Sequence, residues 1–236
     1  MTLHVFPTAA ETARALIGHI LQLLGDSDRQ EFNIALSGGS TPALMFDLWA
    51  AEFSEATPWE RIRFYWVDER CVGPEDAESN YGMTRRHLFE KVSVQAEHVF
   101  RIEGEADPEA ESRRYASLVA RQVPVADGFP VFDLVLLGAG DDGHTSSIFP
   151  GQEHLLTTAQ AYAVGTHPAT GQKRVALTGE PIVRAARLVF LMTGGKKAPV
   201  LKAMSDASDS GLAAYVAHHA RHAVEVFADE AAAGRS

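Results

Sequence analysis

Runs of consecutive apolar residues alternate along the chain with segments in which apolar residues recur every three or four positions. The runs predict buried strands, and the recurrence predicts amphipathic helices. We predict strands over residues 3–8, 32–37, 62–69, 98–104, 132–137, 161–167, 173–178, 188–194 and 224–229. We predict helices over residues 9–25, 41–53, 81–90, 108–122, 180–186 and 197–205, and in the alanine-rich tail.

Near-continuous apolar strands that alternate with helices are typical of a mostly parallel sheet with helices on both faces. We therefore predict a Rossmann-like α/β fold. No linker, internal repeat or low-complexity tract interrupts the chain, so we predict a single domain over residues 1–236. Ligands of such sheets bind beyond the carboxyl ends of the strands. We expect the chemistry in the loops after Leu36, Val67, Leu137 and Met192.

The amino-acid composition limits which classes of molecule the protein is expected to bind. The chain carries 21 basic and 31 acidic side chains, a formal net charge of −10, which argues against a nucleic acid or an anionic membrane surface. Apolar residues make up 46% of it, yet no apolar run approaches the roughly 18 residues of a membrane span. The N-terminus lacks the pattern of a signal peptide, and the single cysteine, Cys71, excludes an internal disulfide. We expect a cytoplasmic protein.

One predicted strand is followed by Gly138, Gly140 and Gly143, in the spacing of a dinucleotide-binding loop. That function is disfavoured, because Pro150 breaks the chain before a long helix forms and because two adjacent aspartates in the loop would repel a pyrophosphate. No acidic residue ends a strand about 20 residues further on, where a ribose contact belongs. The glycines instead let the backbone turn sharply and let Gly140 approach a ligand closely.

Asp142 and His144 lie two positions apart in this loop. A neutral imidazole accepts a proton from water near neutral pH, since histidine titrates at about pH 6.5. A neighbouring carboxylate orients the ring and stabilises its cation. We predict that His144 is a general base and that Asp142 supports it. The alternative is that the aspartates cap a turn and His144 is an ordinary surface residue.

The SGGSTP loop after the second predicted strand opens a helix and suits an anion, because hydroxyls and backbone N–H groups converge there. Its candidate ligands are Ser37, Gly38, Gly39, Ser40 and Thr41. The alternative is an ordinary helix start in which Ser40 or Thr41 is the N-cap.

Two other loops and one strand carry further candidates for positioning a substrate. VDERCV offers Asp68 and Arg70, and a guanidinium binds an oxyanion in a bidentate fork. TGGKKA places Lys196 and Lys197 near a helix start, which is unfavourable for a cation unless it meets an anion. Arg174 is a further candidate cation. The alternative for each is a solvated surface charge or a cap.

The remaining histidines are the natural candidates for a metal site. His218, His219 and His222 lack the acidic residue of a zinc-binding helix, and His167 and Cys71 stand alone in the sequence. We therefore predict no metal site.

Five segments, in this order, strongly resemble motifs of the 6-phosphogluconolactonase family, in the glucosamine-6-phosphate isomerase/deaminase superfamily. They are SGGSTP, WVDERCV followed by SNYG, FDLVLLGAGDDGHTSSIFPG, RVALT and GGKKA. The resemblance implies hydrolysis of 6-phospho-D-glucono-1,5-lactone to 6-phosphogluconate in the oxidative pentose phosphate pathway. It implies no metal or organic cofactor, and a small phosphosugar lactone as partner. We expect a monomer or small homo-oligomer.

The resemblance also implies roles for individual residues. His144 would activate water for attack on the lactone carbonyl, and Asp142 would support it. The loop at 37–41 would position phosphate and substrate, together with Arg70, Arg174 and Lys197. The spacing G-x-x-K favours Lys197 over its neighbour. The SNYG motif receives no role.

Two other functions are alternatives to lactone hydrolysis. Glucosamine-6-phosphate deaminase is similar in fold and in its D-G-H loop, but that family carries a glutamate immediately before the loop's proline, where this chain has Phe149. Without this carboxylate the deaminase is disfavoured. A non-catalytic sugar-phosphate sensor on the same scaffold would not need Asp142 and His144, and both are present.

Overall fold

The computed structural model describes residues 1–206 and 211–235. Its strands are β1 (Thr2–Phe6), β2 (Phe32–Leu36), β3 (Ile62–Trp66), β4 (Asp68–Arg70), β5 (Val125–Ala126), β6 (Phe129–Pro130), β7 (Leu134–Leu137), β8 (Tyr162–Thr166), β9 (Lys173–Leu177), β10 (Arg187–Met192) and β11 (Ala223–Asp229). Its α-helices are α1 (Ala9–Asp26), α2 (Ser40–Glu52), α3 (Asn80–His87), α4 (Pro108–Gln122), α5 (Gly179–Arg184), α6 (Ala198–Ser205) and α7 (Leu212–His219). None of the described helices is long and apolar enough to cross a membrane.

Six strands form a central sheet in the order β1, β11, β10, β7, β2, β3, and every pairing in it is parallel. The prediction of a mostly parallel sheet is therefore confirmed. The chain leaves β2 for β3 on one side and later returns to β7 on the other side. The carboxyl ends of β2 and β7 thus flank a reversal of strand order, the place where open α/β sheets bind ligands.

Two hydrophobic cores lie on opposite faces of this sheet. Because side chains alternate along a strand, Leu134 and Leu136 of β7 pack with α1 and α2 on one face. Val135 and Leu137 pack on the other face with α4, α5, α6 and α7. The prediction of helices on both faces is confirmed, and the near-continuous apolar strands follow from burial on both sides.

Local capping fixes where two of the long helices begin. The Thr8 hydroxyl accepts a hydrogen bond from the Glu11 N–H at 3.2 Å ahead of α1. The Asp107 carboxylate accepts one from the Ala110 N–H at 2.9 Å ahead of α4, whose first residue is proline. Helix α4 has the bounds predicted from its periodicity.

Several predicted elements were wrong in detail. The segment at 98–104 is not a strand, because it meets β3 only through a bridge at Val99 and a bond from the Phe100 N–H to the Phe64 carbonyl at 2.9 Å. The predicted strand at 62–69 is two strands, since the chain leaves the central sheet at Val67. The alanine-rich tail forms turns, and α7 and the β5–β6 hairpin were not predicted.

The second half of the divided strand begins a separate sheet. β4, β9 and β8 pair antiparallel in that order, with Arg70 opposite Arg174. The bond from the Leu177 N–H to the Val67 carbonyl, at 2.7 Å, ties this small sheet to the carboxyl end of β3. Side chains from β4 and β9 therefore reach the carboxyl edge of the central sheet.

Candidate active site

A small polar cleft of about 150 Å³ lies between the carboxyl ends of β2 and β7 and the antiparallel sheet. It is lined by Ser37, Gly38, Asp68, Arg70, Asn80, Gly138, Ala139, Gly140, His144, Thr145, Ser146, Ser147 and Arg174. The structure therefore brings together residues from four of the five motifs singled out in the sequence. A larger, mainly apolar cavity also borders Asp142, but among the described residues its lining has no arginine or lysine, whereas this cleft has two arginines.

His144 and Asp142 form a pair at one side of the cleft. The His144 Nδ1 lies 2.6 Å from the Asp142 Oδ1, which also accepts the His144 backbone N–H at 3.1 Å. Partial burial alone would raise the pKa of Asp142, but these hydrogen bonds hold it below its usual value. An ionised carboxylate only accepts, so Nδ1 carries the proton and Nε2 is left as a proton acceptor. This is the tautomer that a general base requires.

A tight turn holds this pair in place. The Gly143 N–H donates to the Gly140 carbonyl at 3.0 Å, and the Gly140 N–H donates to the His144 carbonyl at 2.8 Å. Gly143 has a φ of 80°, a conformation that favours glycine. A Cβ on Gly140 would lie 2.1 Å from the His144 Nδ1, so the imidazole occupies that space. The close approach predicted for Gly140 is therefore made by the histidine ring.

Two serines after the histidine have strained backbones. Ser146 and Ser147 are buried, with φ of 52° and 53°, a region that costs a non-glycine residue about 1–3 kcal/mol. The Ser146 hydroxyl donates to the Leu177 carbonyl at 2.7 Å, and the Ser147 hydroxyl donates to the Asp68 carboxylate. These bonds attach the loop that carries His144 to the small sheet. Neither serine was a candidate site residue in the sequence.

The opposite side of the cleft is cationic. Arg70 and Arg174 are direct partners in the antiparallel pairing of β4 and β9, and like charges in that position repel. Burial, and then the charge of Arg70, lower the pKa of Arg174. The Nε atoms of both guanidinium groups are buried without a hydrogen-bond partner. An anion between them would relieve the repulsion and supply acceptors.

The buried Glu69 carboxylate holds together the segments that form this cationic side, although Glu69 was not a candidate in the sequence. The side chain is 2% exposed and accepts the N–H groups of Arg70, Asn80 and Tyr81 at 2.7–2.8 Å, and the Ser79 hydroxyl at 2.9 Å. Burial raises the pKa of Glu69, and these four bonds oppose that effect. The carboxylate thereby joins the VDER and SNYG segments.

Asn80 gains a role from this arrangement. Its Nδ2 donates to the Asp68 carbonyl at 2.8 Å, and its carboxamide lies against Gly38, where a Cβ would come within 1.8 Å of Oδ1. The SGGSTP loop therefore needs glycine at 38 to pack on the SNYG motif. In the sequence, SNYG followed VDER within a short polar loop and resembled a family motif, but it indicated no role for Asn80.

The rest of the SGGSTP loop lies beside the lining of the cleft. Gly39, with a φ of 111°, is the N-cap of α2 and makes no side-chain capping bond, so neither Ser40 nor Thr41 caps the helix. The first N–H groups of α2 are therefore open to an external anion. The Ser37 hydroxyl donates to the Leu136 carbonyl at 2.8 Å, and Thr41 meets Thr193 at 2.8 Å.

Lys197 lies at the edge of this region rather than in the lining. Its Nζ donates to the Asp141 Oδ1 at 2.6 Å.

Two of the other histidines have hydrogen-bond partners in the backbone. The His218 ring bonds to the Met204 carbonyl, and the His219 ring bonds to the Tyr215 carbonyl. Among the described residues, no group of three or more histidine, cysteine or acidic side chains is arranged to hold a metal ion.

Comparisons with known proteins agree with this architecture. Residues 7–226 match the model of the family described as glucosamine-6-phosphate isomerases/6-phosphogluconolactonase. The chain is 40% identical over 207 residues to a 6-phosphogluconolactonase of Treponema pallidum, covering 87% of this chain and 84% of that protein. A similar protein from Rattus norvegicus, also named 6-phosphogluconolactonase, is 36% identical over 212 residues, 88% of this chain and 82% of that one.

Solved structures are similar over almost the entire chain. The 6-phosphogluconolactonase from Trypanosoma cruzi superposes with a TM-score of 0.89 at 29% identity, covering 99% of this chain and 96% of that one. A monomeric glucosamine-6-phosphate deaminase superposes with a TM-score of 0.84 at 21% identity, covering the whole of both chains. The second similarity concerns the fold alone.

Proposed function

The chain belongs to the glucosamine-6-phosphate isomerase/6-phosphogluconolactonase family, and we propose that it hydrolyses 6-phospho-D-glucono-1,5-lactone to 6-phosphogluconate in the oxidative pentose phosphate pathway. The observation that carries the proposal is the His144–Asp142 pair at 2.6 Å, facing a cleft whose other side is formed by Arg70 and Arg174. A base opposite a cationic wall suits a substrate with an ester at one end and a phosphate at the other. We place the reaction in the cytoplasm.

The base acts through water. The His144 Nε2 takes a proton from water as the water oxygen attacks the lactone carbonyl, and a tetrahedral oxyanion forms. Asp142 keeps the Nδ1 proton in place and stabilises the imidazolium. The carbon–oxygen bond of the ring then breaks, and the imidazolium returns its proton to the leaving ring oxygen. Water and lactone are consumed, the acid is formed, and the histidine ends neutral.

The phosphate is bound away from the bond that breaks. Arg70, Arg174, Lys197 and the open N–H groups at the start of α2 are the proposed phosphate ligands. Binding energy from this remote group orients the carbonyl toward His144, which lowers the entropic part of the barrier. The proposed mechanism uses only water and side chains of this protein.

Phe149 favours hydrolysis over deamination. Its ring centroid lies 4.6 Å from that of His144, and the Arg174 Cζ lies 5.5 Å from the same centroid. The position that carries a glutamate in deaminases therefore supplies an apolar surface beneath the base. The acid–base step that such a glutamate would perform has no carboxylate at this position.

The test uses lactone generated in situ from glucose 6-phosphate by its dehydrogenase. The protein should accelerate lactone decay, and the His144→Ala variant should lose about 10²–10⁴-fold in kcat while still binding 6-phosphogluconate. His154→Ala, at an exposed histidine outside the cleft, is the matched control and should retain activity. Decay at the spontaneous rate with the wild-type protein would rule out the lactonase. Ammonia release from glucosamine 6-phosphate would point to the deaminase instead.

A further inference from the structure

One turn presents two carboxylates to different partners. Asp141 and Asp142 occupy the corner of the turn closed by the Gly143 N–H and the Gly140 carbonyl. Asp142 serves the histidine, whereas Asp141 holds the Lys197 ammonium at 2.6 Å. Asp141 has no role in the proposed mechanism. Its carboxylate nevertheless forms an ion pair with Lys197, a cation that is proposed to bind the substrate phosphate.

We propose that Asp141 is a positioning residue that competes with the substrate phosphate for Lys197 and so sets the affinity of the enzyme for its substrate. In the free enzyme the carboxylate holds the ammonium at the edge of the cleft. On binding, the phosphate takes over the ammonium. The inference rests on the proposed function, because it needs a phosphorylated substrate in the cleft.

The exchange requires only side-chain rotation, since both backbones are fixed. The Gly194 N–H donates to both carboxylate oxygens of Asp229 at 3.0 Å, and the Lys197 N–H donates to the Gly194 carbonyl at 3.0 Å. The turn around Asp141 is closed by its own hydrogen bonds. Lysine carries its charge on a flexible four-carbon stem, so the ammonium can change partner without moving either loop.

Charge favours the phosphate over the carboxylate. The Asp141 side chain is 53% exposed and that of Lys197 25% exposed, so their ion pair is screened by solvent and weak. A phosphomonoester carries a charge of about −2 near neutral pH and three acceptor oxygens. The Lys197 ammonium holds the pKa of Asp141 below its usual value, with Lys196 adding to this effect and Asp142 opposing it. Asp141 is therefore ionised, and in competition, throughout the neutral range.

The first test is Asp141→Asn, which removes the charge at constant size. We expect KM for the lactone and Kd for inorganic phosphate to fall together by about two- to fivefold, the range of an exposed ion pair, with kcat near its wild-type value. Asp141→Glu keeps the charge and should stay near wild type. Asp127→Asn breaks a similar exposed pair with Arg221, at 2.9 Å and outside the cleft, and should change neither constant.

A double-mutant cycle separates competition from simple repulsion of the phosphate. In a Lys197→Met background, Asp141→Asn should no longer strengthen phosphate binding. An undiminished gain in that background, or no gain in the single variant, would overturn the role of Asp141. So would a wild-type protein that binds no phosphate.

The same measurements distinguish a failure of the proposed lactonase function from a failure of the competition by Asp141. If the wild type leaves lactone decay unchanged but Asp141→Asn strengthens phosphate binding only when Lys197 is present, the competition stands and the lactonase does not. If turnover is present and phosphate affinity does not respond to Asp141, the lactonase stands and the competition does not.

Discussion

The two sides of the cleft are built in different ways. The side proposed for hydrolysis, the hydrolytic side, carries Asp142, His144 and Phe149 on one loop, and its geometry is set by hydrogen bonds inside that loop. The cationic side joins β4, β9 and the start of α3, which are distant in the sequence, through antiparallel pairing and the buried Glu69 carboxylate. One side is a local motif, and the other is a product of tertiary packing.

This difference predicts how each side responds to change. A substitution on the hydrolytic side removes a group that is proposed to act in the transition state and should lower kcat. A substitution on the cationic side moves groups that are proposed to bind the substrate and the transition state alike, and should raise KM.

After His144→Ala, the largest effect is expected from Asp142→Asn. The carboxamide no longer fixes the Nδ1 proton or stabilises the imidazolium, so kcat should fall by about 10²-fold or more with KM nearly unchanged. Steady-state kinetics on generated lactone measure it. The neighbouring Asp141→Asn is the matched comparison and should leave kcat in place. A rise in KM with kcat intact would place Asp142 on the binding side.

An intermediate effect is expected from Glu69→Gln. The amide nitrogen would face N–H donors that the carboxylate now accepts, and each buried donor left unpaired costs about 1–3 kcal/mol. We expect a lower free energy of unfolding and a KM raised about tenfold as Arg70 and Asn80 shift. Glu111→Gln alters another buried carboxylate, 1% exposed and outside the cleft, and should lower stability without raising KM.

The wild type and the Glu69→Gln variant should also differ in the pH dependence of KM. The pKa of Glu69 is raised by burial, so on acidification it takes up a proton at a higher pH than an exposed glutamate does. Protonation removes acceptor capacity, and the wild-type KM should therefore rise as pH falls through that pKa. The E69Q variant has no titrating group there and should lack this component. Parallel KM profiles for the two proteins would contradict the positioning role.

The smallest effect is expected from Phe149→Leu. It should fall on both kcat and KM, because Phe149 contacts His144 on the hydrolytic side and Arg174 on the cationic side. The variant loses the ring contact with His144 and the cation–π contact with Arg174, the latter worth about 0.5–2 kcal/mol. We expect kcat to fall and KM to rise by about threefold each. Phe100→Leu alters a stacked ring away from the cleft and is the control. A change confined to one constant would assign Phe149 to a single side.

The elements of the fold divide in the same way, into those that a local pattern predicts and those that depend on tertiary packing. Strands buried on both faces, such as β2, β7 and β10, were predicted from apolar runs, and α4 was predicted from its periodicity. The segment at 98–104 is apolar enough for a strand but makes only a single bridge to its neighbour. Propensity describes one segment at a time, whereas a strand exists only where a partner is aligned with it.

The parallel sheet, the family and the loop that carries Asp142 and His144 were all predicted from sequence patterns, because period, turn glycines and a contiguous motif are local properties. Three other features were visible only in the folded chain: it turns out of the central sheet at Val67, Arg70 lies opposite Arg174, and Asp141 holds Lys197. Those features are distances between residues far apart in the chain. Such distances are set by the packing of the whole domain, and no local pattern encodes them.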